Sequence, residues 1–182
     1  RISQVKVNYG GEVTNHELAP ITIALIKGLL TPVLGETVNY VNASFIAKER
    51  GIEVRETRTT DVEDFTNLIS VEVKTDKMSN SVSGTLFTKN TPRIVRIDNF
   101  YVHAVPEGYM IITFNLDKPG IIGGIGTILG KNNINIAGMT FGREESTGQA
   151  ITVLNVDSPV SQDVLDQVKG LPNISDAKLI KL

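Results

Sequence analysis

The sequence predicts an α+β protein made of two small domains. Three observations indicate this class: a strand, two helices and a run of hairpins fill the first half; the second half follows a strand-helix-strand-strand-helix-strand order; and 182 residues suit two cores of roughly 100 residues or fewer. The first domain is predicted to pack its helices on one face of an antiparallel sheet, and the second to be a ferredoxin-like βαββαβ module. Pro106 and Gly108 mark the change of pattern, so the predicted domains span 1–105 and 106–182.

In the first domain, the period of the apolar residues separates strands from helices. These residues alternate over 1–8, as in a strand with one buried face, and take helical spacing over 17–30, with Pro20 in the first turn and Pro32 after the end. A second helix is predicted to start after Asn42, a favourable N-cap residue. Further strands, the last containing a turn, are predicted at 52–57, 67–74, 81–88 and 93–105.

The second domain uses the same two periods in a different order. Its apolar residues alternate in four segments and take helical spacing in two. The predicted strands are 109–116, 135–141, 149–156 and 175–182, and the predicted helices are 119–131 and 159–169. This order is that of two helices packed on one face of a four-stranded sheet.

The composition excludes several kinds of partner and chemistry. A net charge of −2 gives no positive field for phosphate groups, so we expect no nucleic-acid partner. The chain has no Cys, which excludes disulfides, iron–sulfur clusters and thiolate zinc sites and is compatible with a reducing compartment. His16 and His103 lie in different segments and at no metal-ligand spacing, so we expect neither a metal site nor a catalytic residue in this chain.

The sequence also shows no clear membrane or targeting segment. The longest apolar stretches, 18–26 and 121–130, reach about half of the roughly 20 residues that a membrane-spanning helix requires. We therefore expect no membrane partner and a cytoplasmic location. The chain opens at Arg1 in a strand-like pattern without Met, and we expect it to be a fragment whose natural start lies upstream.

The glycine-rich start of the helix at 119–131 resembles a dinucleotide-binding turn only superficially. Gly124, Gly126 and Gly130 have the spacing G-x-G-x-x-x-G, and no parallel βαβ unit follows them, so nucleotide binding is rejected. Gly123, Gly126 and Gly130 instead recur at about one helical turn. This stripe of small residues is expected to let the helix lie close to the sheet or to a partner.

The turn before that helix offers a site for a zwitterion. Asp117 ends a strand beside the free N–H groups at the start of the helix, near Ile122, so a carboxylate lies next to an anion-binding helix end. An amino acid could pair its ammonium with Asp117 and its carboxylate with the N–H groups, with amide groups from Asn115 and Asn135. Spacing alone favours the alternative, in which Asp117 only caps the helix and Asn135 is a turn residue.

At these residues the sequence resembles a known family. The segments LDKPGIIGGIGTILGKNNINIAGM (116–139) and GQAITVLNVD (148–157) resemble the C-terminal ACT domain of D-3-phosphoglycerate dehydrogenases. The segments VNASFIAKERGI (41–52), SVSGTLF (81–87) and RIVRIDNF (93–100) are similar to the intervening, or allosteric substrate-binding, domain that precedes ACT in the long form of that enzyme.

The resemblance implies a regulatory part of a larger enzyme. The parent would oxidise 3-phosphoglycerate with NAD in the first step of L-serine synthesis, through domains that this chain lacks, so no cofactor is expected here. L-serine would bind between two paired ACT domains and inhibit, at positions that match Asn115, Asp117, Asn135 and the N–H groups near Ile122. Asn115 stands where other members more often have His or Tyr.

A second anion site in the intervening domain of some members matches Arg93, with Arg96 as a candidate substitute for basic residues that Phe100 and Val105 replace. Basic pairs on a strand are more often a solvated face.

Two alternative functions stay open at the sequence level. One is the small subunit of an iron–sulfur L-serine dehydratase, although its Ser-rich, His-containing segment is absent from the region around 7–12. The other is an oligomerisation module whose ACT half binds no effector. We expect self-association through the ACT half, as a homodimer or a tetramer.

Overall fold

The computed structural model describes residues 1–62 and 64–182 and divides the chain into two compact units. The first unit is Arg1–Thr85 and the second is Leu86–Leu182. Both mix helices and strands, which confirms the predicted α+β class. The boundary predicted between 105 and 106 rests on a change of strand pattern and stays a prediction.

The first unit packs two helices on four sheet strands. The strands are β1 (Ile2–Gly11), β2 (Glu53–Thr59), β3 (Asn67–Thr75) and β4 (Ser79–Leu86), in the order β2-β1-β3-β4. The helices are α1 (Ala19–Leu34) and α2 (Ala43–Glu49), and short 3-10 turns cover Glu12–Asn15 and Gly35–Thr37.

One strand pair of the first unit departs from the predicted antiparallel sheet. β1 pairs with β2 in parallel, for example Val5 with Val54, while β1 with β3 and β3 with β4 are antiparallel. The two helices between β1 and β2 return the chain to the end where β1 began, which is what a parallel pair requires. Alternation of apolar residues is the same in both kinds of pair, so the sequence pattern could not distinguish them.

Helix α1 runs four residues beyond its predicted end. It continues through Pro32 to Leu34 and ends at Gly35, whose φ of +64° suits glycine. Pro32 has no N–H to donate within the helix. It lies in the last turn, however, so the missing hydrogen bond affects only the few residues at the end of α1.

The buried side of α1 packs on the sheet and carries a polar network. Ile26 and Leu30 belong to the same core as β1. The Tyr9 hydroxyl is 2.7 Å from Thr22 Oγ1, and Thr22 also donates to the Glu56 carboxylate. Burial raises the pKa of Tyr9, although the bond to Thr22 lowers it.

The same helix is unusually apolar. The segment Ala19–Thr37 has a mean hydropathy of 1.3 and is, by length and composition alone, long and apolar enough to cross a membrane. A core helix of a soluble protein can meet the same test, and Thr22, Ile26 and Leu30 are buried in the first unit. The predicted absence of a membrane partner stays a prediction.

The second unit contains a hairpin and the ferredoxin-like module that the sequence predicts. The hairpin is β5 (Pro92–Ile97) and β6 (Phe100–Ala104), with its turn at Asp98 and Asn99. The module is β7 (Tyr109–Leu116), α3 (Ile121–Lys131), β8 (Ile136–Glu144), β9 (Gln149–Val156), α4 (Gln162–Lys169) and β10 (Ile174–Lys181). Its sheet has the order β10-β7-β9-β8, and all three pairs are antiparallel.

The two faces of this sheet bury different elements. Ile111 and Leu154 pack with α3 and α4 on one face, and Met110 and Ile151 pack with the β5–β6 hairpin on the other. Because side chains alternate along a strand, Asn115 lies on the helix face with Ile111. The fold therefore directs the end of β7 towards the start of α3.

Candidate functional site

Asp117 lies one residue beyond the end of β7 and is held by its backbone. Its N–H donates to the carbonyl of Gly148 at 2.9 Å. Its carboxylate Oδ2 lies 3.2 Å from Nε of Arg143, on β8, and both side chains are substantially exposed. The ion pair is therefore on the surface, with a fixed main chain beneath the carboxylate.

The start of α3 is free of side-chain capping. Gly120 occupies the N-cap position with a φ of +93°, a conformation that favours glycine, and no side chain in the described ranges, 1–62 and 64–182, bonds to the first N–H groups. The alternative in which Asp117 caps this helix is therefore wrong. The N–H groups at this end, including that of Ile122, keep the partial positive charge that attracts anions.

Asn115 supplies a buried acceptor at the same place. The residue is 6% exposed, and its Nδ2 donates to the carbonyl of Leu116 at 2.8 Å. Its Oδ1 is buried without a partner among the residues that the structure describes. A buried polar atom left unsatisfied costs about 1–3 kcal/mol, so this oxygen calls for a donor that the chain itself does not provide.

A cavity of about 420 Å³ brings these groups together. Of the sequence-predicted residues, Asn115, Asp117 and Ile122 line it. The other residues in its wall are Lys118, Pro119, Gly120, Ile121, Gly123, Phe141, Arg143, Ala150 and Thr152. Its volume falls in the usual range for small-molecule sites, and its charges of both signs suit a zwitterion.

Arg143 is a member of this site that sequence reasoning missed. In the register of the sheet, Ala150 of β9 lies between Asn115 of β7 and Arg143 of β8. The register of a β8–β9 hairpin could have identified Arg143 from the sequence, because it places residue 143 beside residue 150. The guanidinium carbon also lies 5.4 Å from the centre of the Phe141 ring, a cation–π distance.

Asn135 is the predicted site residue that a single chain does not bring to the cavity. Its Nδ2 donates to the Asp157 carboxylate at 2.6 Å, just before β8 starts. Ile136 pairs with Val156, whereas Glu144 at the other end of β8 pairs with Gln149. The strand separates Asn135 from the cavity end by roughly 25 Å, at about 3.3 Å per residue.

Arg93 and Arg96 each stack on a different aromatic ring. The guanidinium carbon of Arg93 is 5.6 Å from the Phe87 ring centre, and that of Arg96 is 4.7 Å from the Tyr101 ring centre. Arg93 also donates to the carbonyl of Pro92 at 2.9 Å. The second anion site stays a prediction, because no shared partner of the two guanidinium groups is seen within the described chain.

The glycines of α3 do not form a dinucleotide site, because the sheet around β7 is antiparallel. A Cβ at Gly124 would lie 3.2 Å from Leu171, so this glycine permits packing inside the unit. At Gly123, Gly126 and Gly130 no described atom lies within 4 Å of such a Cβ. The stripe therefore faces outward and not towards the sheet, and its expected approach to a partner stays a prediction. Across residues 1–62 and 64–182, no three His, Asp or Glu side chains are grouped to hold a metal ion.

The second unit contains a ferredoxin-like domain with a cavity of mixed charge at the start of its first helix. The family model described as ACT domain matches residues 109–173, which contain the whole cavity. The model described as D-3-phosphoglycerate dehydrogenase intervening domain matches residues 1–98. The chain belongs to this D-3-phosphoglycerate dehydrogenase family and carries its intervening and ACT domains.

Relatives from several organisms match the chain over its full length. The D-3-phosphoglycerate dehydrogenase of Archaeoglobus fulgidus is 39% identical over 183 residues, which are 100% of this chain and 34% of the relative. Those of Synechocystis and Bacillus subtilis are 38% and 37% identical, again over 100% of this chain and over 33% and 34% of the relatives. The chain thus spans about a third of the length of the curated relatives it matches, and the predicted resemblance is confirmed.

Proposed function

We propose that this chain is the serine-sensing regulatory part of an NAD-dependent D-3-phosphoglycerate dehydrogenase and that L-serine binds in the cavity beside Asp117. The parent enzyme would act in the cytoplasm on 3-phosphoglycerate, through domains outside this chain, and bound L-serine would inhibit it as the end product. Inhibition requires that L-serine bind two states of the enzyme with different affinity.

The observation that carries this proposal is that Asn115 lines a cavity together with Asp117 and that its buried Oδ1 has no partner among the described residues. An ammonium or a hydroxyl group of the ligand would donate to this oxygen, and Asp117 would balance the ammonium charge. The uncapped N–H groups of α3 favour the carboxylate at the opposite side of the ligand. An L-amino acid with a small polar side chain carries all of these groups.

We further propose that the complete site spans two copies of the chain. Asn135 lies at the far end of β8, so it reaches Asp117 only if a second copy supplies it. β8 is an edge strand, and Ile122, Met139 and Phe141 expose large apolar surface beside the outward glycines of α3. A two-fold axis beside β8 would cover this surface and place Asn135 of each copy at the cavity of the other.

The test is a calorimetric titration of the 182-residue chain with L-serine, with D-serine and glycine as controls. We expect saturable heat with L-serine and weaker binding of both controls. Asp117→Ala should abolish the heat, whereas Asp163→Ala, which removes an exposed carboxylate from the first turn of α4, should not. Absence of heat with L-serine at millimolar concentration would leave an assembly module that binds no effector.

A mixing experiment tests the two-copy site. Asp117→Ala and Asn135→Ala should each lose binding alone. When the two variants are mixed and allowed to exchange subunits, one intact site forms in each mixed dimer, and part of the heat should return. If the mixture gives no binding heat although both variants are dimeric, the site lies within one chain and the role given to Asn135 is wrong.

A further inference from the structure

We propose that Arg143 recognises the carboxylate of the ligand and that the ligand binds by inserting itself into the ion pair between Arg143 and Asp117. The inference rests on the proposed function, because it concerns the same cavity, but it adds a residue and a mode of recognition. Arg143 would therefore set the class of ligand as zwitterionic amino acids, excluding amines and simple carboxylic acids.

The first argument is that the ion pair offers one partner for each charge of an amino acid: Asp117 for the ammonium and Arg143 for the carboxylate. Nε of Arg143 lies 3.2 Å from Oδ2 of Asp117, and both residues line the cavity. A ligand ammonium that pairs with Asp117 occupies the position of the guanidinium. The displaced guanidinium then needs an anion, and the carboxylate of the same ligand provides it.

The second argument is that this pair opens at low cost. The side chains are 61% and 40% exposed, and ion pairs between exposed groups contribute little to stability. Beneath them the main chain is fixed, since β8 and β9 pair Arg143 with Ala150, and the Asp117 N–H bonds to Gly148. The two charges can separate by side-chain rotation while their backbones stay in place.

The third argument is that the cavity wall holds Arg143 where a carboxylate would arrive. The Phe141 ring lies 5.4 Å from the guanidinium carbon and limits how far the group can swing away. The planar guanidinium can bind a carboxylate with two parallel hydrogen bonds, which the ammonium of Lys118 cannot do. Asn115 provides the independent sign of a ligand, because this residue lines the same cavity and its buried Oδ1 has no partner in the described chain.

The experiment compares L-serine with L-serinamide, which keeps the ammonium and the hydroxyl but lacks the carboxylate. The wild-type chain should bind L-serinamide more weakly than L-serine. Arg143→Gln should weaken L-serine by roughly ten- to hundredfold, the range expected when a hydrogen bond between charged groups is lost, and should leave L-serinamide within about twofold. Arg143→Lys should restore part of the affinity for L-serine. Lys131→Gln is the matched control, because it removes a cation from the last turn of α3, outside the cavity wall, and should change L-serine binding little.

Each other outcome rejects a specific claim. If Arg143→Gln binds L-serine as tightly as the wild type or more tightly, Arg143 only competes for Asp117 and the inference is wrong. Equal losses of affinity for L-serine and L-serinamide in Arg143→Gln would also reject the inference. Arg143 would then support the site without contacting the ligand carboxylate. If the wild-type chain binds no L-serine at all, the proposed function itself fails. Far-UV circular dichroism of each variant establishes that it is folded.

Discussion

In the first unit, the hydroxyl of buried Thr22 bonds to Tyr9 and to Glu56, whereas in the second unit the hydroxyl of buried Thr113 has no partner among the described residues. Asn115, two residues further along β7, shows the same deficit at its Oδ1. Thr22 lies on the buried side of α1 and Thr113 lies in β7, and both residues are buried, at 7% and 0% exposure. Within residues 1–62 and 64–182, the buried side-chain polar atoms without a partner both lie in the second unit, and one of them belongs to Asn115, a residue that lines the cavity.

This difference separates polar groups that stabilise the fold from polar groups that are kept for a ligand. A satisfied buried network adds to stability, while an unsatisfied acceptor lowers it and persists where another role maintains it. Asn155 in the second unit is satisfied, since its Nδ2 donates to the carbonyls of Val105 and Glu107 at 3.0 and 3.1 Å. The deficit therefore belongs to the end of β7 that faces α3, and not to the unit as a whole.

The largest expected effect comes from replacing the two threonines by valine, which has nearly the same shape. Thr22→Val should lower the free energy of unfolding by about 1–3 kcal/mol, because the buried Tyr9 hydroxyl loses Thr22. Thr113→Val should change it by less than about 0.5 kcal/mol or raise it, because an unpaired hydroxyl is replaced by a methyl group. Urea unfolding followed by circular dichroism measures both, and equal losses would remove the contrast between the units.

A smaller change in stability, with a larger change in binding, is expected at Asn115. Asn115→Leu loses the bond to the Leu116 carbonyl but also removes the unpaired oxygen, so stability should stay within about 1 kcal/mol of the wild type. Binding of L-serine should fall tenfold or more. Asn155→Leu is the matched control on the neighbouring strand: it should cost about 1–3 kcal/mol, because two carbonyls lose their donor, and leave affinity unchanged. If Asn155→Leu weakened L-serine binding and Asn115→Leu did not, the ligand would bind at a different place.

The periodicity of the apolar residues was sufficient to predict most of the second unit. Each predicted strand and helix of the βαββαβ module lies within three residues of the observed one, because every element has one face in the core. The parallel pairing of β1 with β2 was missed because alternation does not encode strand direction. The end of α1 was missed because a proline in a last helical turn costs less than one in the interior.

The parts of the site formed by neighbours in the chain could be predicted from the sequence. The parts that depend on how the strands align with one another could not. Asp117 and the start of α3 are neighbours in the chain, so the turn between them was sufficient to bring a carboxylate to a helix N-terminus. Arg143 reaches Asp117 only through the alignment of β8 against β9, which sequence spacing did not supply. Asn135 is separated from the cavity by the length of β8, and its predicted role requires a second copy that a single sequence does not show.

The smallest expected effect is the response of the first unit's polar network to alkaline pH. Burial raises the pKa of Tyr9 above its ordinary value of 10.0, so the folded chain holds this proton more tightly than the unfolded chain does. The resulting stability is fully present below the unfolded pKa and is lost as the pH rises through the folded pKa. Neither Thr113 nor Asn115 titrates, so the unpaired groups of the second unit add nothing to this response.

Tyr9→Phe isolates this contribution. The variant loses the bond to Thr22 and should be less stable near pH 7, but its loss of stability above about pH 10 should be shallower than that of the wild type. Urea unfolding at several values between pH 8 and pH 11 measures both slopes, with Tyr101→Phe, an exposed tyrosine in the β5–β6 hairpin, as the matched control. Parallel slopes for wild type and Tyr9→Phe would mean that Tyr9 ionises as easily in the folded chain as in the unfolded one. The network around Thr22 would then stabilise the first unit through hydrogen bonding alone, without a titrating group.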